Sequence, residues 1–326
     1  MMSAAVSISF HNFWKGFDEN KNFFAQALRQ KAKVSVVPVG EDIQIFSVFG
    51  TKTPPKTTGR PLRVWFSGEN VGAGVRLYDL QFGFLRNSLL GDRSIRFPLW
   101  ITYIDWWDPS SPAGPEKLLA PRQYEERARF CNFIFSSPAS LRAEFCLRLS
   151  RHKPVDGLGR VLNTTGFPVE DKLKAMRDYR FAITFENHLA HGYVTEKLFE
   201  ALAAGCIPIY WGAREALSDF NPDAFIYAPD FESLDALVSH IASVDQSPEQ
   251  QRKYLTAPIF PGNRIPYEHT PQFFADRVLS ALAGNLREEI PDEWDARMQK
   301  KLPVKRKNRW AKRWATLWNR LRQAAL

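Results

Sequence analysis

The sequence predicts an α/β fold built on parallel sheets. Three observations carry this reading. Apolar strand-like segments alternate with helical ones along most of the 326 residues. The connections between them are a few residues long, as in sheets covered by helices on both faces. The residues richest in chemistry also fall directly after strands, where such sheets present ligands. At roughly 100–200 residues per domain, the length suits about two domains.

Val6–Phe10 alternates like a half-buried strand, and Asn20–Leu28 places Phe23, Phe24, Ala27 and Leu28 on one helical face. Val34–Val39 and Ile43–Val48 read as strands, Thr51–Pro61 as a loop, and Leu62–Phe66 as a strand running into Ser67-Gly-Glu-Asn70. Phe130–Phe135 is a buried strand, Ser140–Leu149 a helix, Asp156–Gly159 a glycine-rich turn and Val169–Tyr179 a helix. Strands follow at Phe181–Phe185, Ile207–Trp211 and Ala224–Tyr227, with helices at Thr195–Ala204 and Ser233–Val244 and a helical turn at Arg214–Asp219. Trp100 and Tyr103 read as core. Trp106-Trp107 reads either as core or as a sugar-stacking platform.

Composition excludes several classes. Hydrophobic residues make up 44% of the chain, enough for real cores, so global disorder is out. Cys131, Cys146 and Cys206 form no CxxC pair, which argues against a disulfide or zinc framework. No apolar run is long enough for a membrane-spanning helix, and no signal peptide is evident. Net charge is +9, yet Lys300–Leu326 holds ten basic residues and no acidic one. Setting those ten aside leaves 34 basic against 35 acidic residues, so the body is near neutral and no nucleic-acid partner is expected.

The segment Phe185-Glu-Asn-His-Leu-Ala-His-Gly-Tyr-Val-Thr-Glu-Lys197 takes a strand end through a short loop into a helix N-terminus. Free N–H groups and the positive end of the helix dipole suit an anion such as diphosphate, and Lys197 adds a full charge. Glu196 and Asn187 could meet sugar hydroxyls. By position alone, Glu196 and Lys197 could equally form a solvated first helical turn, and Glu69 could be a surface loop carboxylate. His188 and His191, three apart without a partner ligand at suitable spacing, read as lining the loop rather than as a metal site.

The same segment resembles the donor-binding signature of the α1,3/4-fucosyltransferases, glycosyltransferase family 10. The matching residues are Phe185-Glu-Asn187, Tyr193-Val-Thr-Glu-Lys197 and Gly205-Cys-Ile-Pro-Ile-Tyr-Trp-Gly212. Phe130–Ser136 with Arg142, Val155-Asp-Gly-Leu-Gly159, Asp219-Phe-Asn-Pro222, Ser67–Asn70 and Arg96-Phe-Pro-Leu-Trp100 resemble further family blocks in order. The resemblance covers about residues 6–275. It implies a GT-B fold, two Rossmann-like domains facing a central cleft: residues 1–125 for the acceptor and 126–290 for GDP-fucose, followed by a tail over 291–326. It also implies that Arg142, Asn187, Tyr193, Glu196 and Lys197 hold GDP-fucose and that Glu69 is the catalytic base. The expected reaction is inverting transfer of L-fucose from GDP-β-L-fucose to a glycan hydroxyl, as an α1,3-fucosyltransferase on an N-acetyllactosamine-type or surface-polysaccharide acceptor. No cofactor is required. The chain has no Asp-x-Asp metal clamp, and stimulation by a divalent cation stays open. Family members often carry Pro soon after Glu-Asn, whereas this chain has Val71-Gly-Ala-Gly74, a difference that bears on the acceptor loop. Two other readings remain: transfer from another GDP-sugar, and a catalytically silent glycan-binding or membrane-associated protein that keeps the fold.

The tail has its own logic. Trp310, Trp314, Leu317, Trp318 and Leu321 fall on one helical face, with Lys312, Arg313, Arg320 and Arg322 off it. A basic amphipathic helix with three tryptophans suits an anionic membrane surface. Packing of the Trp stripe on the protein body is the alternative. The expectation is a bacterial cytoplasmic enzyme peripherally associated with the inner membrane.

Overall fold

The structure, a computed structural model, describes residues 5–40, 42–50, 59–71, 78–84, 88–135, 140–166 and 169–284. The expected tail over 291–326 and the Val71–Gly74 loop beyond Val71 lie outside them.

The first half forms a six-stranded sheet from β1 (Ala5–His11), β2 (Lys33–Val36), β3 (Ile43–Phe46), β4 (Leu62–Phe66), β5 (Leu80–Gly83) and β6 (Ser94–Arg96). Their spatial order is β2-β1-β3-β4-β5-β6, and every neighbouring pair is parallel. Helix α1 (Phe23–Arg29) makes the first crossover. It starts where Asn22 accepts the Ala25 N–H at 2.9 Å, satisfying a donor that no helical carbonyl can reach. Every residue of β3 and β5 is buried, as strands covered on both faces must be.

After α2 (Pro115–Leu119), a second sheet takes over. It contains β7 (Arg129–Phe133), β8 (Val155–Gly157), β9 (Tyr179–Ile183), β10 (Ile207–Tyr210) and β11 (Ile226–Tyr227), in the parallel order β11-β10-β9-β7-β8. Its helices are α3 (Ser140–Ser150), α4 (Lys172–Met176), α5 (Glu196–Ala203), α6 (Ala216–Asp219), α7 (Leu234–Asp245) and α8 (Pro248–Thr256). The last described helix, α9 (Pro271–Leu282), returns to the first sheet. Its Phe274 ring lies 5.3 Å from Phe24 and 4.8 Å from Phe82, so chain that follows the second sheet helps to build the first core. None of the described helices is long and apolar enough to cross a membrane.

The α/β class and the parallel sheets agree with the sequence reading, and several elements differ in detail. The glycine-rich turn at Asp156–Gly159 begins as strand β8, because Val155–Gly157 pairs with Cys131–Phe133 at the sheet edge. The expected helix Val169–Tyr179 shrinks to α4, since Asp171 caps it through the Lys174 N–H at 3.0 Å and Tyr179 already belongs to β9. Strands β5 and β6 escaped the pattern because four and three residues are too few to show a period.

The two halves are clamped by a buried ion pair. Arg96 leaves β6 and donates through Nη1 and Nη2 to the two carboxylate oxygens of Asp219, each at 2.7 Å. Trp100 Nε1 donates to the same carboxylate at 3.3 Å, and the Asp219 side chain is 2% exposed. Around it, Trp100 packs against Phe220 at 4.9 Å, so one apolar core runs across both halves. Removing one partner strands a buried charge. Asp219→Ala should lower unfolding free energy by about 3–5 kcal/mol in denaturant titration.

Candidate active site

The site is built where β9 ends. Beyond Ile183 the chain runs through Phe185, Glu186 and Asn187, with the Glu186 N–H still donating to Trp211 O at 2.8 Å. Glu186 is 1% exposed, which is unusual for a carboxylate. Its carboxylate accepts the Thr195 N–H at 2.7 Å, the Thr195 hydroxyl at 2.7 Å and Lys197 Nζ at 3.1 Å. Thr195 is the N-cap of α5 but makes no side-chain cap of its own. Glu186 caps the helix start in another way, from a neighbouring strand end, by binding the N–H and hydroxyl of Thr195 itself. Gly212 leaves the necessary space: a Cβ there would lie 2.8 Å from Glu186 Cγ and 2.3 Å from the Tyr210 hydroxyl.

Lys197 also donates to Thr195 Oγ1 at 2.8 Å and Glu196 Oε1 at 3.3 Å. Burial opposes its charge, but Glu186 and Glu196 outweigh burial and hold its pKa above the ordinary lysine value. Burial pushes Glu186 up, with Lys197 pulling against it. Glu196 ends below its usual range, because Lys197 and Lys172 overcome burial there. The cluster thus keeps a protonated amine beside a helix N-terminus.

Arg142 rises from α3 behind this loop. Its Nη2 donates to Phe185 O at 2.7 Å and to Asn187 Oδ1 at 2.5 Å, and its guanidinium lies 4.7 Å from the Phe135 ring centre. It is 2% exposed, so it stands behind Asn187 rather than on the open wall. Tyr193 packs edge-on against Phe84 of the first half at 4.7 Å. Gly192 makes that approach possible: its φ is +70°, and a Cβ would fall 1.9 Å from Phe84 O.

Glu69 comes from the other sheet. After β4, the buried Ser67 donates its N–H to Phe82 O at 3.1 Å and its hydroxyl to Glu69 O at 2.5 Å, and accepts the Glu69 N–H at 3.1 Å. This tight turn leaves the Glu69 side chain exposed. Glu69, Tyr103 and Trp107 of the first half line one cleft of about 940 Å3 together with Asn187, Tyr193, Thr195, Glu196 and Lys197 of the second.

Five of the six predicted site residues therefore meet in one cavity, and the sixth, Arg142, braces it from behind. Tyr103 departs from the core reading, being 41% exposed on the cleft, whereas Trp100 is fully buried. Of the tryptophan pair, Trp106 turns inward and donates to Ile101 O at 2.9 Å, while Trp107 faces the cleft. His191 is exposed with Nδ1 3.5 Å from Glu215. Among the described residues no group of three or more His, Cys, Asp or Glu could hold a metal ion. Sequence reasoning gave Glu186 no role. Its signals were its place in the Phe185-Glu-Asn187 block and a carboxylate following a strand, nine residues before Thr195.

Comparison with known proteins identifies the family. Residues 125–257 match the C-terminal model of glycosyltransferase family 10 (fucosyltransferase), and residues 8–103 match the N-terminal domain of α-(1,3)-fucosyltransferase FucT. The chain belongs to glycosyltransferase family 10. It is 31% identical over 207 residues to α-(1,3)-fucosyltransferase FucT of Helicobacter pylori, covering 55% of this chain and 43% of that protein. It is 36% identical over 162 residues to human α-(1,3)-fucosyltransferase 4, covering 48% of this chain and 30% of the other. The chain thus spans less than half the length of these curated relatives. A solved α1,3-fucosyltransferase with GDP-fucose has the same fold, with a TM-score of 0.69 at 22% identity over 86% of this chain and 91% of that one.

One turn along α5, Lys172 Nζ donates to both oxygens of Glu200 at 3.0 Å, yet burial prevails and pushes Glu200 up to about 7. A raised carboxylate stabilises the fold below its unfolded pKa, near 4.5, and loses that contribution as pH rises through about 7. Stability should therefore fall between pH 5 and 7.5 by up to about 2–3 kcal/mol more in the parent than in Glu200→Gln, read from urea melts across pH.

Proposed function

We propose that this family 10 chain transfers L-fucose from GDP-β-L-fucose to a hydroxyl of a glycan acceptor, in α1,3 linkage and with inversion. The acceptor is of N-acetyllactosamine type or a surface polysaccharide. The observation that supports this best is the shared cleft, with Glu69, the carboxylate that follows β4, on one wall and the Lys197 cluster on the other. We assign the two sheets to a GT-B arrangement, with residues 1–125 binding acceptor and 126–290 binding donor.

In this reading the acceptor hydroxyl attacks the anomeric carbon as GDP departs from the opposite side. Glu69 takes the hydroxyl proton; its exposure to the cleft suits a base that must reach substrate. Negative charge gathers on the leaving diphosphate. Lys197, already held protonated, and the N-terminus of α5 stabilise it. Asn187 and Glu196 meet sugar hydroxyls and Tyr193 closes the pocket. Arg142 fixes the Asn187 amide and adds positive charge behind it. No cofactor enters these steps.

Glu69→Gln keeps the shape and removes the base. Transfer should fall by about 100-fold or more while GDP binding by calorimetry stays unchanged. Full activity in that variant would overturn the assignment.

We also propose that the basic tail over 291–326 holds the enzyme against an anionic membrane, where its glycan acceptor would be built. In liposome flotation with acidic lipid, the full chain should rise with the vesicles and a chain ending near Pro291 should not, each basic residue adding about 1 kcal/mol.

A further inference from the structure

This inference rests on the fucosyltransferase reading and concerns how far along the acceptor the cleft extends. Eight large apolar side chains stand exposed among the described residues, and four of them line this cleft: Trp14, Phe49, Tyr103 and Trp107. Exposed aromatic surface gathered in one concavity marks binding. Tyr103 and Trp107 sit on the segment after β6. Trp14 and Phe49 belong to a separate wall that the mechanism leaves unused.

That wall is built by the sheet order. Trp14 follows β1, Phe49 follows β3 and Glu69 follows β4, and these three strands are consecutive neighbours. At about 4.8 Å per step, the end of β1 lies about 10 Å from the end of β4, room for two sugar rings in a row. The corner is held firmly. Asn12 takes a left-handed φ of 59°, which asparagine tolerates, and turns the chain out of β1. Its carbonyl accepts the Phe49 N–H at 2.8 Å, tying the two loops together. The Trp14 ring meets Phe49 edge-on at 5.9 Å and Phe17 at 4.9 Å, leaving Trp14 46% and Phe49 47% exposed.

Polar groups edge the same cavity. Asp18 lines it and accepts the N–H groups of Lys21 and Asn20 at 3.0 and 2.9 Å, which hold its carboxyl below the usual range. Asp108 and Lys21 line it too. A pyranose ring offers an apolar C–H face to an aromatic side chain and hydroxyls to carboxylates. A plain alkyl chain would leave the carboxylates unused.

We propose that Trp14 and Phe49 form a distal sugar subsite that holds acceptor rings beyond the one receiving fucose, so that the enzyme selects oligosaccharides over short acceptors. The test uses the full chain with GDP-fucose and three acceptors: N-acetyllactosamine, its two-repeat tetrasaccharide, and the octyl glycoside of the disaccharide. The tetrasaccharide should give the highest kcat/KM. Trp14→Ala and Phe49→Ala should each lower that value about tenfold. The disaccharide value and GDP-fucose hydrolysis should stay within about twofold, as for surface substitutions. Equal losses on both sugars, or none, would overturn the subsite. So would an octyl glycoside that matches the tetrasaccharide and suffers the same loss, which would mark an aglycone site. A parent chain that neither hydrolyses nor transfers GDP-fucose would instead overturn the activity itself, and the subsite with it.

Discussion

The bidentate contact between Arg96 and Asp219 sets how the two sheets face each other. A guanidinium fork meets a carboxylate in a planar, two-bond arrangement, so a pair held between two halves constrains rotation as well as distance. Here both oxygens of Asp219 are engaged, and Trp100 adds a third donor. The aromatic core around Trp100 continues across the boundary, and α9 binds the first sheet from the far end of the chain. The clamp and the core together hold Glu69 and Lys197, from different sheets, on one cleft.

Inside the second half, Glu186 organises the chemistry. Its carboxylate joins a strand end, a helix start and a lysine. Burial would discharge such a group if it stood alone, and it is tolerated because cap, hydroxyl and ammonium satisfy it together. Lys197 is therefore held ready beside a helix N-terminus rather than sampling rotamers in solvent. The same packing explains Gly212, whose missing side chain leaves the space that Tyr210 and Glu186 share.

Much of this was legible along the chain. Strand Leu62–Phe66 appears with its predicted limits, and Thr195 stands at the start of its helix as expected, because both are local consequences of patterning and capping. The rule that parallel sheets place ligand residues after strands pointed to Ser67–Asn70 and Glu186–Lys197, and the family resemblance singled out Glu69, Asn187, Tyr193, Glu196 and Lys197 within them. Arg142 could be placed near them but not behind them, since depth depends on how α3 packs. Tyr103 was misread because an aromatic in an apolar run looks alike whether it faces the core or a cleft. Strands β5 and β6 were too short to carry a period.

The sequence alone determined the α/β class, the parallel strands and the segments bearing chemistry, because these follow from periodicity, turn residues and short-range capping. Tertiary structure decided the rest. It brought Arg96 and Asp219, 123 residues apart, into one ion pair, and it turned Glu186 from a strand-end carboxylate into the cap of another element. It also aligned Trp14, Phe49 and Glu69 through a strand order in which β1, β3 and β4 are neighbours. Those relations depend on which strands pair and how two sheets dock, and both are settled by contacts between residues far apart in the chain.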